Sequence, residues 1–185
     1  MKHELKSIAV YCGHEFGTET AFARDAALVG EMLGRNGIRM VFGGGDVGLM
    51  GAVANGALDA GGEVIGVSTH NVVAKQEPVH VGVHVQVVDG VNERKQRMYE
   101  LSDAFIILPG GIGTLNELTD IMTMQQIGET KKPLFFLNTG NFWAPFARLF
   151  VHMQNCGFIE NIHDYDIRIA STPADLESEI KNYQN

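Results

Sequence analysis

The chain has 185 residues, of which 45% are hydrophobic, and its formal net charge at pH 7 is −8. This length fits one domain that can bury a sizeable core, so we expect residues 1–185 to form a single domain. The negative charge argues against a nucleic-acid or anionic-membrane partner, because both select a basic surface. No apolar run approaches the roughly 18 residues that a membrane-spanning helix needs.

The two cysteines, Cys12 and Cys156, share no metal-binding spacing, and the seven histidines are scattered. His80 and His84 stand four residues apart, but they lie in a segment rich in valine and glycine that reads as loop or strand. The amino terminus lacks the apolar stretch of a secretion signal. These features favour a reduced, cytoplasmic protein without a metal site.

The first half of the chain alternates short apolar runs with helical segments. Strands are predicted at Ser7–Tyr11, Ile38–Phe42, Glu63–Val67 and Gln86–Asp89. Helices are predicted from a cap at Thr18 to about Arg35 and at Val47–Ala60. The stretch from Ser68 to Val85 is irregular and is predicted to be a long loop, of the kind that often carries function.

In the second half, strands are predicted at Ala104–Leu108, Pro133–Leu137 and Ile167–Ala170. Helices are predicted at Val91–Leu101, from Thr114 onward, at Trp143–Gln154, and from Pro173 with Thr172 as its cap. Regular alternation of strand and helix predicts an α/β fold, a doubly wound parallel sheet with helices on both faces. Ligands of such folds bind beyond the carboxyl ends of the strands.

The helix at Val91–Leu101 carries an unusual stripe. Val91, Arg94, Lys95 and Met98 have the spacing of one helical face, so two cations share a face with apolar residues. If the stripe is real, both cations point into a crevice that must hold an anion, because an unpaired buried charge is very costly. The alternative is that the helix starts elsewhere and both cations face water.

The segment from Ala104 to Gln126 combines a buried strand, a turn at Pro109, Gly110 and Gly111, and a helix. Thr114 and Glu117 have the spacing of a capping box. The exposed N–H groups and positive dipole of such a helix start bind anions, phosphate above all. From the residues alone, a purely capping role for Glu117 is favoured over a carboxylate that acts beside a bound phosphate ester.

The other functional classes fit less well. Gly43, Gly45 and Gly48 match a dinucleotide motif, but the next strand ends without the acidic residue that would bind the ribose. The Walker-A lysine–serine motif is absent. A pyridoxal-phosphate enzyme needs a Schiff-base lysine, for which Lys95 is the only candidate. The predicted site instead suits a phosphorylated sugar or a nucleotide monophosphate, for which N-glycosidic hydrolysis is plausible.

Three motifs, GGGDVGLMG from Gly43, NERKQRM from Asn92 and PGGIGTLNE from Pro109, closely resemble the LONELY GUY family. Its members are cytokinin riboside 5′-monophosphate phosphoribohydrolases, which were long described as lysine decarboxylases. The resemblance covers nearly the whole chain. It implies a Rossmann-like fold, a homodimer with the site near the interface, and no cofactor. The implied reaction is cleavage of an adenosine 5′-monophosphate, N6-substituted or plain, to free base and ribose 5-phosphate by an N-glycosidase.

The resemblance also implies roles for individual residues. Arg94 and Glu117 are the implied catalytic pair. The substrate-binding residues are expected to be Glu77, Lys95, Met98, Thr123, the glycines Gly43, Gly44 and Gly45, and Gly110, Gly111, Gly113 and Thr114 of the second glycine turn. This agrees with the independent interpretation of Arg94, Lys95 and Glu117 and reverses the preference for a purely capping Glu117.

The chain departs from the family pattern at His14 and Glu15, and at Asn92, Asn116 and Met124. His14 and Glu15 either place a negative charge near the substrate or form a solvated turn. The main alternative function is a related carrier that binds a nucleotide or cofactor without hydrolysing it. A nicotinamide-dependent oxidoreductase is the third alternative.

Overall fold

A sheet of seven parallel strands forms the centre of the computed structural model, which describes residues 4–75 and 78–184. The strands are β1 (Ser7–Tyr11), β2 (Arg39–Phe42), β3 (Val64–Thr69), β4 (His84–Val88), β5 (Ala104–Ile107), β6 (Leu134–Leu137) and β7 (Ile167–Ala170). Their order in the sheet is β4-β3-β2-β1-β5-β6-β7. The chain therefore reverses its direction of winding between β1 and β5, where such folds bind ligands.

Helices cover both faces of this sheet. They are α1 (Thr20–Arg35), α2 (Gly48–Asp59), α3 (His70–Lys75), α4 (Val91–Glu100), α5 (Ile112–Gln126), α6 (Ala144–Asn155) and α7 (Pro173–Gln184), with 3-10 turns at Thr139–Asn141 and Ile162–Asp164. Side chains of α1, α2 and α7 pack in one core, and those of α4, α5 and α6 in the other. Alternate residues of β1 enter opposite cores, as the pleat requires. The predicted doubly wound α/β fold is confirmed.

The prediction of one long loop from Ser68 to Val85 is wrong in part. Strand β3 continues to Thr69, α3 follows it directly, and β4 already begins at His84. Helix α3 has no buried residue among those described, so it lacks the apolar periodicity by which a helix is recognised in a sequence.

The predicted capping box at Thr114 and Glu117 is also wrong. Helix α5 begins at Ile112 after the N-cap residue Gly111, which has no side chain to cap it, and the Glu117 carboxylate contacts Arg94 instead. The cap predicted at Thr18 is absent as well, because α1 begins after Glu19 without a side-chain cap.

Only the cap predicted for α7 is confirmed. The Thr172 hydroxyl accepts a hydrogen bond of 3.1 Å from the Asp175 backbone N–H. The Asp175 carboxylate accepts one of 3.1 Å from the Thr172 N–H in return. These reciprocal bonds have the pattern of a capping box, with aspartate in the place of glutamate.

Small residues bring α1 and α2 into close contact above the first core. A Cβ atom at Gly30 of α1 would collide with the Val53 carbonyl oxygen of α2, and one at Gly56 of α2 with the Ala27 carbonyl oxygen of α1. Because α2 starts at the carboxyl edge of the sheet, this packing sets the position of its first turn relative to that edge.

We expect Gly30→Ala to lower the free energy of unfolding by about 1 to 3 kcal/mol, because the methyl group forces the two helices apart. This loss outweighs the gain of about 1 kcal/mol in helix propensity. Chemical denaturation measures it. The control Glu31→Ala removes only an exposed ion pair with Arg35 and should change stability by a few tenths of a kcal/mol. Equal stability of the two variants would contradict the close packing.

Candidate active site

Two glycine turns meet at the carboxyl edge of the sheet, on either side of the end of β1. The first, Gly43–Gly45, follows β2, and the second, Pro109–Gly111, follows β5. Gly13 joins them through its backbone: its N–H donates to the Pro109 carbonyl at 3.0 Å, and its carbonyl accepts from the Leu49 N–H at 3.1 Å. Main-chain bonds therefore hold the framework of the site together.

Gly48 makes a second close approach at the start of α2. Its φ angle is +61°, which favours glycine, and a Cβ atom there would collide with the His14 carbonyl group. This close approach explains why Gly48, the third glycine of the dinucleotide-like motif, is a glycine. It lets the first turn of α2 lie against the turn after β1.

Arg94 of α4 and Glu117 of α5 form an ion pair within this framework. Arg94 Nη1 lies 2.7 Å from Glu117 Oε1, and both side chains are largely buried. Arg94 Nε donates a second hydrogen bond of 2.8 Å to the Val67 carbonyl oxygen within β3. A Cβ atom at Gly43 would collide with the Arg94 guanidinium group. Gly43 therefore leaves the space that this side chain occupies.

Burial raises the pKa of the Glu117 carboxyl group above its ordinary value. Arg94, through its charge and its hydrogen bond, and Lys95, through its charge, lower this pKa in part, whereas the charge of Asp120 raises it further. Burial and the charge of Glu117 likewise raise the pKa of the neighbouring Tyr11 well above its ordinary value. A desolvated carboxylate of raised pKa in a cleft is typical of a group that moves protons.

The first turn of α5 faces a cavity of about 190 Å³ above this ion pair. The Leu115 N–H makes the first bond of the helix, to the Gly111 carbonyl at 3.0 Å. The N–H groups of Ile112, Gly113 and Thr114 precede that bond and so have no partner within the helix. The cavity is lined by Val10, Cys12, Gly13, His14, Gly43, Met50, Val72, Arg94, Gly111, Ile112, Gly113, Thr114 and Glu117. An anion on these N–H groups would lie in the same cavity as the ion pair.

A second cavity, of about 230 Å³, opens on the other side of Glu117. It is lined by Tyr11, Asn92, Lys95, Gln96, Tyr99, Glu117, Asp120, Ile121 and Met124. Lys95 Nζ lies 2.5 Å from Asp120 Oδ2, and the Lys95 side chain is only 13% exposed. Glu117 is buried and lines both cavities.

The structure brings together many of the residues expected from the sequence. Those that line the first cavity are Gly43, Arg94, Gly111, Gly113, Thr114 and Glu117. Lys95 lines the second cavity, beside Asp120, and not the one that faces the start of α5. Gly110 lies behind the turn, where the Thr114 side chain fills the space of a Cβ atom.

The remaining expected residues lie elsewhere. Met98 is fully buried in the core with α5 and lines neither cavity, so we assign it to packing and correct its expected role in substrate binding. Gly44 and Gly45 shape the first turn without lining a cavity. Thr123 is exposed, with its hydroxyl donating to the Thr119 carbonyl oxygen. Glu77 lies outside the described residues.

Sequence reasoning missed Tyr11 and Asp120. Tyr11 belongs to an apolar strand, where its ring stacks on Phe105 at 5.5 Å, and nothing in that pattern sets it apart from a core residue. Asp120 stands three residues after Glu117, one helical turn along α5, and this spacing was the available signal. Among the described residues, no cluster of three histidine, cysteine or acidic side chains is placed to hold a metal ion.

Three of the five residues that depart from the family pattern line the two cavities. His14 lines the first cavity and pairs with Glu15 at 3.6 Å, although both side chains are more than half exposed. Asn92 and Met124 line the second cavity, and Asn116 is exposed on α5. In the described part of the chain, no helix has the length and apolarity to cross a membrane.

Comparison with known proteins identifies the family. The model of the family described as "possible lysine decarboxylase" matches residues 50–180. A cytokinin riboside 5′-monophosphate phosphoribohydrolase of Rhodococcoides fascians is 40% identical over 155 residues, covering 83% of this chain and 78% of that protein. One of Oryza sativa subsp. japonica is 37% identical over 185 residues, covering 98% and 75%.

Solved structures show the same fold at lower identity. A molybdenum cofactor binding protein of Rippkaea orientalis superposes with a TM-score of 0.71 at 24% identity, covering 97% of each chain. The molybdenum cofactor carrier protein of Chlamydomonas reinhardtii gives 0.70 at 20% identity, covering 97% of this chain and 98% of the carrier. The family match and the relatives of 37% and 40% identity show that this chain belongs to the "possible lysine decarboxylase" family, the one that contains the LONELY GUY phosphoribohydrolases.

Proposed function

We propose that this protein is a nucleoside 5′-monophosphate phosphoribohydrolase, an N-glycosidase that releases the base and ribose 5-phosphate from adenosine 5′-monophosphates. The observation that carries the proposal is the buried Arg94–Glu117 pair in the cavity that faces the first turn of α5. A phosphate site and a desolvated carboxylate in one cavity are the two features that cleavage of a phosphoribosyl bond needs.

The substrate phosphate binds the backbone N–H groups of Ile112, Gly113 and Thr114, where the dipole of α5 adds a favourable positive potential. Glycine at 111 and 113 lets the phosphate approach the main chain closely, since no side-chain atom stands within 4 Å of either Cβ position. Bound there, the nucleotide presents its ribose to the Arg94–Glu117 pair.

Bond cleavage at C1′ leaves positive charge on the ribose ring, and the Glu117 carboxylate stabilises that charge. A water molecule adds its oxygen to C1′, while the electron pair of the breaking C–N bond stays with the base nitrogen. Glu117 accepts the proton of the water, and a proton returns to the base as it leaves. Arg94 fixes the orientation of the carboxylate through its hydrogen bond.

We extend the proposal to a homodimer with its site near the interface, on the strength of the family resemblance. We extend it also to a cytoplasmic location, on the strength of the cysteine usage. Residues 1–185 act in this proposal as one nucleotide-binding domain, and the glycines at 43, 44, 45 and 110 shape its turns. Lys95 and Thr123, together with Glu77, are proposed as contacts beyond the phosphate site. Lys95 makes its contact from the second cavity.

The alternative of a carrier that binds without turnover makes a different prediction from the same site. We would incubate the protein with AMP and with isopentenyladenosine 5′-monophosphate, and assay for free base and ribose 5-phosphate. The phosphoribohydrolase releases both products from at least one substrate, and the ratio of rates sets the base preference. Tight binding of both nucleotides with no product would overturn the hydrolase and favour the carrier.

Glu117→Gln should reduce kcat by about 10²- to 10⁴-fold, because the amide keeps the shape and the acceptor for Arg94 but cannot take a proton. Steady-state kinetics with AMP measure the loss. Thermal unfolding of the same variant serves as the control for folding. Near-normal turnover would remove Glu117 from the chemistry.

Arg94→Ala should abolish measurable turnover, because it leaves the Glu117 carboxylate buried without its partner. The matched control is Arg97→Ala on the same helix. Arg97 contacts Gln86 at 3.0 Å and Glu100 at 3.6 Å on the outer side of α4, so its loss should leave kcat and KM near those of the unaltered protein. Equal activity of the two variants would mean that the inward face of α4 has no catalytic role.

The pH dependence of kcat/KM should report the raised pKa of Glu117. The carboxylate form is the active one, so activity rises with pH through a limb that lies above the ordinary carboxyl value of 4.5. Asp120→Asn should move this limb to lower pH, because it removes a charge that raises the pKa of Glu117. Lys95→Met should move it to higher pH for the opposite reason. Shifts in the same direction would contradict the assignment of the limb to Glu117.

A further inference from the structure

The segment that follows residue 77 folds back onto the glycine turn after β2. Asp46 N–H donates to the Pro78 carbonyl at 3.1 Å, and His80 N–H donates to the Gly44 carbonyl at 3.0 Å. Gly45 and Val79 form an antiparallel bridge between these two bonds. The contact is thus a single antiparallel bridge with one backbone hydrogen bond on each side, separate from the parallel sheet.

The side chains of His80 and Asp46 contact each other across this bridge. His80 is buried, with 4% of its surface exposed, and its ring packs edge-on against Phe42 at 6.3 Å. His80 Nδ1 accepts a hydrogen bond of 3.1 Å from the Gly82 N–H, so in the neutral ring the proton is on Nε2. His80 Nε2 lies 3.3 Å from Asp46 Oδ1, at an angle outside hydrogen-bond geometry, and has no other partner among the described residues.

Gly43, which precedes the bridged segment, lies against Arg94 of the catalytic pair. The Arg94 guanidinium group occupies the space beside the Gly43 Cα atom, and the Met50 sulfur stands 2.7 Å from where a Cβ atom would be. A shift of the Gly43–Asp46 turn therefore moves one wall of the slot that holds Arg94. Asp46 stands at the other end of that turn, where its side chain contacts His80.

We infer that His80 and Asp46 are positioning residues, which lock the Gly43–Asp46 turn against residues 78–80 and so hold Arg94 in line with Glu117. Neither side chain lines a cavity of the site, so both act through the turn. This inference rests on the proposed function for its kinetic consequence but not for its structural one.

The test uses Asp46→Ala and His80→Phe, which each remove the contact, and Asp46→Asn, which keeps the shape of the side chain and an oxygen atom beside His80 Nε2. The first two should lower kcat about 10-fold, since misplacing a catalytic group by a fraction of an ångström is enough for that. Asp46→Asn should restore most of the activity. The double variant of the first two should lose no more than either one alone, because both break the same contact.

A second readout does not require turnover. ¹³C NMR of the glutamate carboxyl carbons, with the Glu117 signal assigned from Glu117→Gln, follows the titration of that group. Its pKa depends on burial and on the charges of Arg94, Lys95 and Asp120, and Arg94 is the cation in direct contact. Asp46→Ala and His80→Phe should raise this pKa, because Arg94 moves away from the carboxylate. The control Glu63→Ala, which breaks an exposed pair with Arg39, should not.

An unchanged Glu117 titration in Asp46→Ala and His80→Phe would overturn the inference, whatever their unfolding temperatures. A loss of thermal stability with unchanged kcat would reduce the pair to a structural contact. If the unaltered protein has no turnover but the titration shifts as expected, the proposed function fails and the positioning role stands.

Discussion

The site depends on one buried ion pair between helices that follow different strands. Arg94 and Glu117 come from α4 and α5, which follow β4 and β5, two strands on opposite sides of β1 in the sheet. Breaking such a pair leaves an uncompensated charge in the protein interior, at a cost of about 3 to 5 kcal/mol. The surrounding structure therefore has to bring both charges together, and the absence of a side chain at Gly43 is one result of that requirement.

The charges near this pair form a chain. Arg94 contacts Glu117, Lys95 contacts Asp120, and the two acidic residues stand one turn apart on α5. Two like charges at that spacing repel each other, and the two cations on α4 offset the repulsion. The stripe of cations among apolar residues on α4 is thus one half of a pattern whose other half lies on α5. After burial, these charges are the main influences on the pKa of the Glu117 carboxyl group.

Much of this arrangement could be predicted from the sequence. Strand β1 and strand β7 have the predicted bounds, and the alternation of strand and helix gave the topology class, because apolar periodicity records which face is buried. The stripe on α4 indicated that Arg94 points into a crevice, and the family resemblance implied its pairing with Glu117. Helix α3 was not predicted, since a helix without buried residues has no periodicity to detect. The prediction that Thr114 caps α5 was wrong, because the helix begins one turn earlier, after Gly111. The spacing of a threonine and a glutamate does not show where a helix begins.

The backbone of Gly13 links three elements of the site: the end of β1, the turn after β5 and the first turn of α2. These bonds use main-chain atoms only, so they do not depend on the side chains that line the cavity. His14 and Ile112 line the same cavity, and their side chains take no part in these bonds. Under the proposed function, substitutions at such lining positions can change which base is accepted while the main-chain frame keeps its geometry. A scaffold built in this way separates its selectivity from the geometry of its framework.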